Sequence, residues 1–161
     1  MLQRLSGALL LALLFPTLLT AAPAPAPITV PDQALGLFSR KFRSCTGGTT
    51  THPPECVNKA DWLLITPEGG DTVKVRFELT FANGHLCSAG NQFNETAVGR
   101  WEKQQLSVQI STSLGDRCSM QMRFTPRGVT FSDPGYKCTP LVCGARGLLN
   151  DFSLPRRGAF W

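Results

Sequence analysis

The feature that most constrains the fold of this 161-residue chain is its six cysteines: Cys45, Cys56, Cys87, Cys118, Cys138 and Cys143. A zinc site would need two closely spaced ligand pairs, but only Cys138 and Cys143 are close together, and the two histidines stand apart. We therefore predict three disulfides and expect no metal site and no cofactor. Many pairings are open. We prefer Cys45–Cys56, Cys87–Cys118 and Cys138–Cys143, because each closes a loop between predicted strands.

The amino terminus has the features of a secretory signal peptide. Arg4 precedes an apolar run at residues 9–19, and Ala21 and Ala22 precede an Ala-Pro run at residues 23–27. The apolar run is shorter than the roughly 20 residues that a membrane-spanning helix needs. We expect residues 1–21 to be a signal peptide that is cleaved after Ala21. Together with the cysteines, this predicts a secreted or periplasmic protein without a stable membrane anchor.

In the middle of the chain the apolar residues recur with a period of two. Val73, Val75, Phe77, Leu79 and Phe81 alternate with polar residues, as expected of a strand with one buried face. The same alternation recurs at residues 106–110 and 120–124, and turn residues separate the runs. This pattern predicts an all-β fold, a small antiparallel barrel or sandwich stapled by disulfides.

The domain organisation follows from these patterns. Residues 22–44 are expected to form an extended Ala/Pro arm, in which the sequence also allows a short helix at residues 32–42. Residues 45–161 are expected to form the disulfide-stapled β domain, with a second short helix at residues 146–152. Phe152 and Leu154 are predicted to pin the tail onto this domain.

The turn at Asn83 and Gly84 leaves two hairpin registers open. A two-residue loop places Cys87 opposite Thr80 on the outer face, whereas a three-residue loop with a left-handed Gly84 places Cys87 opposite Leu79, inside. The preferred Cys87–Cys118 pairing requires the second register.

Motifs for catalysis are absent from the sequence. It contains no Gly-x-Ser-x-Gly elbow, phosphate-binding loop or His-Glu-x-x-His motif, and His52 and His85 lie in a loop and beside a turn. The spacing of the 11 acidic residues singles out no pair for glycoside hydrolysis. We therefore expect no catalytic residues and a protein that binds rather than turns over a substrate.

The charge balance favours an anionic partner. The chain has 16 Lys and Arg against 11 Asp and Glu and an isoelectric point near 9.1. Arg40, Lys41, Phe42 and Arg43 place cations around an aromatic ring, a pattern that suits single-stranded nucleic acid. Because an exported protein rarely meets nucleic acid, we expect no such partner. Asn94 begins a sequon for N-glycosylation, which matters only in a eukaryotic secretory route.

The segment after Cys143 and a loop after Cys87 are the candidate binding regions. Cys143, Gly144, Ala145 and Arg146 place a flexible glycine and a cation on a stapled loop. With the leader, this ensemble resembles the small secreted β-barrel proteins of Gram-negative envelopes. The loop Ser88-Ala89-Gly90-Asn91-Gln92-Phe93 is similar to a loop of the periplasmic C-type lysozyme inhibitors, although it departs from that family's Ser-Gly-x-x-Tyr pattern at Gln92 and Phe93.

The resemblance implies that such a loop enters the cleft of a glycan hydrolase. We accordingly take Ser88, Asn91, Phe93 and Arg146 as the candidate binding residues. The expected function is that of a secreted or periplasmic binding protein, of the inhibitor or envelope-stress type. Its partner would be a macromolecule in the envelope or the medium, such as an anionic molecule or a glycan hydrolase. The alternatives are a secreted enzyme acting on glycans and a carrier of small ligands.

Overall fold

The computed structural model describes residues 29–81, 84–91 and 95–157. The signal peptide predicted at residues 1–21, the whole Ala-Pro run, and Gln92, Phe93 and Asn94 lie outside the described residues. The strands are β1 (Gly36–Thr46), β2 (Glu55–Gly69), β3 (Thr72–Thr80), β4 (Leu86–Ala89), β5 (Thr96–Glu102), β6 (Gln105–Ser111), β7 (Arg117–Thr125), β8 (Gly128–Ser132) and β9 (Ser153–Pro155). A short helix α1 (Thr139–Cys143) and two 3-10 turns, Asp32–Ala34 and Gly144–Arg146, complete the fold.

The strands form one antiparallel sheet that nearly closes on itself, which confirms the predicted all-β fold, expected as a small antiparallel barrel or sandwich. The order is β1-β2-β3-β5-β6-β7-β8-β9, and β4 pairs with the second half of β3. A bridge between Phe38 and Arg156 joins β1 to the residue after β9, and the N–H of Arg157 donates to the carbonyl of Leu37 at 3.1 Å. These contacts nearly close the barrel by joining β1 to the residues that follow β9.

The predicted alternation places the apolar side chains in the barrel interior. Val73, Val75, Phe77 and Leu79 are fully buried, and Phe81 is half-buried at the strand's end. Met120 and Met122 are buried opposite them, and Phe77 meets Phe131 edge to face with ring centroids 5.5 Å apart. Large side chains therefore fill the interior, and Leu154 of β9 is buried as the sequence indicated.

The two ends of the barrel differ in their connections. At one end, the two-residue turns 70–71, 103–104 and 126–127 link consecutive strands. At the other end, the connections are longer and include residues 47–54, 112–116 and 133–152. Short turns leave little room for a site, so the end with the longer connections is where surface features can be built.

The structure corrects the expected start of the β domain. Residues 36–44 belong to β1, so the arm expected at residues 22–44 cannot extend beyond the 3-10 turn at Asp32–Ala34. The helix allowed at residues 32–42 is wrong, because pairing with β2 satisfies this backbone in an extended form. The helix allowed at residues 146–152 is also wrong: helical structure covers Thr139–Cys143 and Gly144–Arg146 instead.

The disulfides are Cys45–Cys56, Cys87–Cys143 and Cys118–Cys138. The Cys45–Cys56 prediction is confirmed. The other two predicted pairs are wrong: helix α1 packs against β4, and this contact brings Cys143 rather than Cys118 to Cys87. The hairpin register with Cys87 opposite Leu79 is nevertheless the one observed.

Candidate functional site

All six half-cystines lie at the barrel end that carries the longer connections, which we call the disulfide end. Cys87 and Cys118 are the second residues of β4 and β7, while Cys138 and Cys143 lie in the segment that follows β8. Cys45 lies near the end of β1, opposite Cys56 near the start of β2. In an antiparallel barrel, these strand termini share one end. Cross-links at one end hold its long connections in fixed positions.

The disulfide end carries a two-stranded projection of β1 and β2, residues 41–60, which we call the ribbon. Its pairing runs from Lys41 opposite Ala60 to Thr46 opposite Glu55. The β2–β3 ladder begins only at Trp62 and Glu78, so the ribbon extends past the barrel wall. The Cys45–Cys56 disulfide fastens its outer part.

Asp61 lies where the pairing of β2 with β3 stops and the ribbon begins. Its side chain is fully buried, and one carboxylate oxygen accepts the backbone N–H of Thr80 at 2.6 Å. The other oxygen accepts Nε of Arg40 at 2.7 Å. A carboxylate thus replaces a carbonyl of β2 as the acceptor for β3, which allows the two strands to separate here.

Arg40 is held over a group of aromatic rings. Its guanidinium carbon lies 4.5 Å from the ring centroid of Phe152 and 5.8 Å from that of Phe42. Phe152 in turn packs on Phe81, with centroids 5.3 Å apart. The side chain of Arg40 remains 45% exposed. Asp61 engages Nε, and among the described residues the two terminal nitrogens have no hydrogen-bond partner, so they are available to a carboxylate or another acceptor.

A cleft lies between the ribbon and the end of β3. One wall is the consecutive stretch of residues 42–47, and the other wall is Thr80 and Phe81. The cavity volume is ≈ 710 Å³. The half-buried rings of Phe42 and Phe81 supply apolar surface, while Arg43 brings positive charge to its edge.

The segment with Arg146 lies at the same end, whereas the loop that begins at Ser88 leaves the wall part-way along β3, where Gly90 lies against the carbonyl of Val75. Ser88 is half-buried on β4 opposite Glu78, and Arg146 is exposed at the end of its 3-10 turn. The Cys87–Cys143 disulfide ties the two regions together, with Cα atoms 3.9 Å apart. Asn91 has a structural contact: its side-chain amide donates to the carbonyl of Phe77 at 2.7 Å.

The segment bearing α1 is organised by a buried carboxylate. Asp133 accepts the backbone N–H groups of Cys138 and Thr139 at 3.0 and 2.8 Å, and the hydroxyl of Thr139 at 2.7 Å. These bonds set the position of Cys138 for its bond to Cys118 and place Cys143 against β4. Asp133 is therefore a structural residue, as Asp61 is.

Sequence reasoning missed the ribbon as a site. It noted the cations around Phe42 but assigned that region to an arm or a helix. In β1, Arg40 and Phe42 share the inward-facing parity of buried Phe38, whereas Lys41 and Arg43 point to the outer face. The available signal was the Cys45–Cys56 pair, because a short disulfide-closed loop is typical of a hairpin.

Comparison with family models, with curated proteins and with solved structures finds no match to this chain. Within the described residues, no helix combines the length and apolar character needed to cross a membrane. Three disulfides fit an oxidising extracellular or periplasmic environment. The assignment of the candidate site therefore depends on the geometry of the described residues.

Proposed function

We propose that this protein is a secreted or periplasmic binding protein that acts on a macromolecular partner, as an inhibitor does, through the disulfide end. The observation that carries the proposal is the gathering of all three disulfides and the longest connections at one end of a filled barrel. Cross-linked loops lose little conformational entropy on binding, which favours affinity.

The filled interior favours this function over a carrier of small ligands. A carrier would need an apolar cavity inside the barrel. Phe38, Phe77, Phe131, Met120 and Met122 are each fully buried there.

The buried acids favour binding over glycan hydrolysis. In the described part of the chain, the fully or nearly fully buried carboxylates are Asp61 and Asp133. Both accept hydrogen bonds from the protein's own backbone, so they serve the fold. The partner classes remain those that the sequence suggested, an anionic macromolecule or a glycan hydrolase such as a lysozyme.

The test uses the oxidised full-length mature protein immobilised as bait for envelope extract and culture medium. A captured partner is then purified and its affinity measured, and inhibition of a C-type lysozyme is assayed in parallel. Replacing Ser88 and Arg146 together by Ala is expected to weaken the purified complex about tenfold, with an unchanged Tm. The matched control is Arg127→Ala, an exposed arginine at the opposite end.

Two results would contradict this proposal. One is equal affinity of the double variant, the Arg127→Ala control and a variant with its ribbon shortened. The other is hydrolysis of a glycan substrate by the purified protein.

A further inference from the structure

We propose that the free edge of β1 in the ribbon binds an extended acidic segment of a partner polypeptide, which adds to the sheet as a new strand. This inference rests on the proposed function and names the kind of partner surface that the ribbon would take.

The direction of the backbone groups in β1 supports it. The Cα atoms of Cys45 and Cys56 are 4.0 Å apart, which is the spacing of a non-hydrogen-bonded antiparallel pair. The N–H and C=O of Cys45 therefore point away from β2. Because this orientation alternates, the same holds for Arg43, Lys41, Ser39 and Leu37.

Contacts at the barrel seam agree with that assignment. The carbonyl of Leu37 accepts the N–H of Arg157, and the carbonyl of Ser39 accepts Nε of Arg157 at 3.2 Å. Beyond Ser39, no backbone partner on this edge is found among the described residues. Lys41, Arg43 and Cys45 thus present a row of donors and acceptors that continues the seam.

The cleft provides room beside that edge. One wall of the cleft is the consecutive stretch of β1 and the following residue, 42–47, and Phe81 lies on the other side. An extended chain rises about 3.3 Å per residue, so the edge from residue 41 to residue 45 accommodates about five residues. Addition of a strand to an exposed edge is an established mode of peptide recognition.

Charge selects an acidic segment. Residues 41–60 contain the cations Lys41, Arg43 and Lys59 against the single acid Glu55. Side chains opposite Lys41 and Arg43 in an added strand would lie on the same face as these cations. Side chains opposite Phe42 would turn towards Phe81. The geometry therefore specifies alternating acidic and apolar residues.

The same charges disfavour a second copy of this chain at the edge, because two ribbons would bring like cations together. β2 carries the acid Glu55 as well as the cation Lys59 in the ribbon, so its edge is less selective for acids. Polyanionic glycans and nucleic acids would also be attracted by these cations, but they have no polypeptide backbone that could pair with the edge of β1.

The experiment titrates the oxidised mature protein against a fluorescein-labelled peptide of about seven alternating glutamates and valines, capped at both ends. Fluorescence anisotropy is expected to show saturable binding. A peptide with lysine in place of glutamate, a block-ordered peptide of the same composition and a peptide N-methylated on alternate residues are each expected to bind at least about tenfold more weakly.

Two substitutions at Arg43 distinguish the contribution of its backbone N–H from that of its positive charge. Arg43→Ala removes one cation, whereas Arg43→Pro also removes the N–H that points to the free edge and leaves the β1–β2 ladder intact. We expect Arg43→Pro to bind the peptide about tenfold more weakly than Arg43→Ala does. Circular dichroism and the retained Cys45–Cys56 bond show that both variants are folded. N-methylation of the peptide provides a second test that leaves the protein unchanged.

Equal binding by the two variants, or by the N-methylated and parent peptides, would overturn the added-strand model. Heparin or single-stranded DNA bound more tightly than the peptide, with equal loss in both variants, would assign the ribbon to a polyanion and also overturn it. If a captured partner is weakened by the Ser88 and Arg146 double variant but not by Arg43→Pro, the proposed function stands and this inference fails.

Discussion

The buried carboxylate of Asp61 accepts the backbone N–H of Thr80 at 2.6 Å, at the place where the β2–β3 ladder ends. This contact terminates the pairing of β2 with β3 and starts the ribbon. Because the second oxygen of Asp61 holds Arg40 at 2.7 Å, one side chain both opens the cleft and fixes the cation near it.

The first prediction concerns Asp61. Asp61→Ala leaves the N–H of Thr80 buried without an acceptor and frees Arg40, so it should lower the free energy of unfolding by about 2–3 kcal/mol. Urea denaturation measures this. The control is Asp71→Ala, since the Asp71–Arg100 ion pair is exposed and longer, at 3.5 Å, and should contribute under about 1 kcal/mol. If Asp61→Ala lowers the free energy of unfolding no more than the control does, Asp61 does not stabilise the place where β2 and β3 separate.

The second prediction ranks the disulfides. Replacing Cys87 and Cys143 by Ala should cost about 4 kcal/mol, because their sequence separation is 56. The same replacement at Cys45 and Cys56, with a separation of 11, should cost about 3 kcal/mol or less. Because the ribbon projects from the barrel, loss of the Cys45–Cys56 bond should mainly destabilise the ribbon and have less effect on unfolding of the whole barrel. Urea denaturation of the oxidised proteins gives both values, and proteolysis without reductant, followed by mass spectrometry, checks the pairing. A reversed order would contradict the loop-length argument.

The third prediction concerns Gly147, which lies against the Cys87–Cys143 bond. A Cβ added here would clash with both the Cβ of Cys143 and the Sγ of Cys87. Gly147→Ala should therefore destabilise the protein by about 1–3 kcal/mol and leave a fraction of these thiols unpaired. Thiol titration after oxidative refolding measures that fraction.

Gly144→Ala is the control for this substitution. Gly144 has a φ of 63°, but a Cβ added there meets no atom within 4 Å. Because φ 63° with ψ −152° is a conformation nearly restricted to glycine, we expect a backbone cost of about 1–3 kcal/mol, but full pairing of the thiols. Unpaired thiols in both variants would locate the effect in the turn rather than at the disulfide.

The sequence predicted those parts of the fold that depend on alternation. Val73, Val75, Phe77 and Leu79 alternate with polar residues. Because one face of this strand is buried, a one-residue shift in its pairing register would expose these apolar side chains, so the pattern determines which face points inward. The barrel class, the inward set of side chains and the Cys45–Cys56 hairpin bond follow from local patterns of this kind.

β1 was missed because its local pattern is ambiguous. Leu35, Phe38 and Phe42 are spaced by three and four residues, which suits a helix as well as a strand. Half of β1 lies in the ribbon, where no interior exists to impose alternation. Only its pairing with β2 decides its conformation.

For the candidate site too, some features follow from the sequence and others only from the tertiary structure. Sequence alone determined which residues carry charge, which cysteines were available and that Ser88 and Arg146 follow half-cystines. Tertiary structure decided that Cys143 meets Cys87, that Asp61 separates β2 from β3 and that the edge of β1 beside Arg43 is free. These are contacts between segments far apart in the chain, and their energies depend on distances that no local pattern encodes.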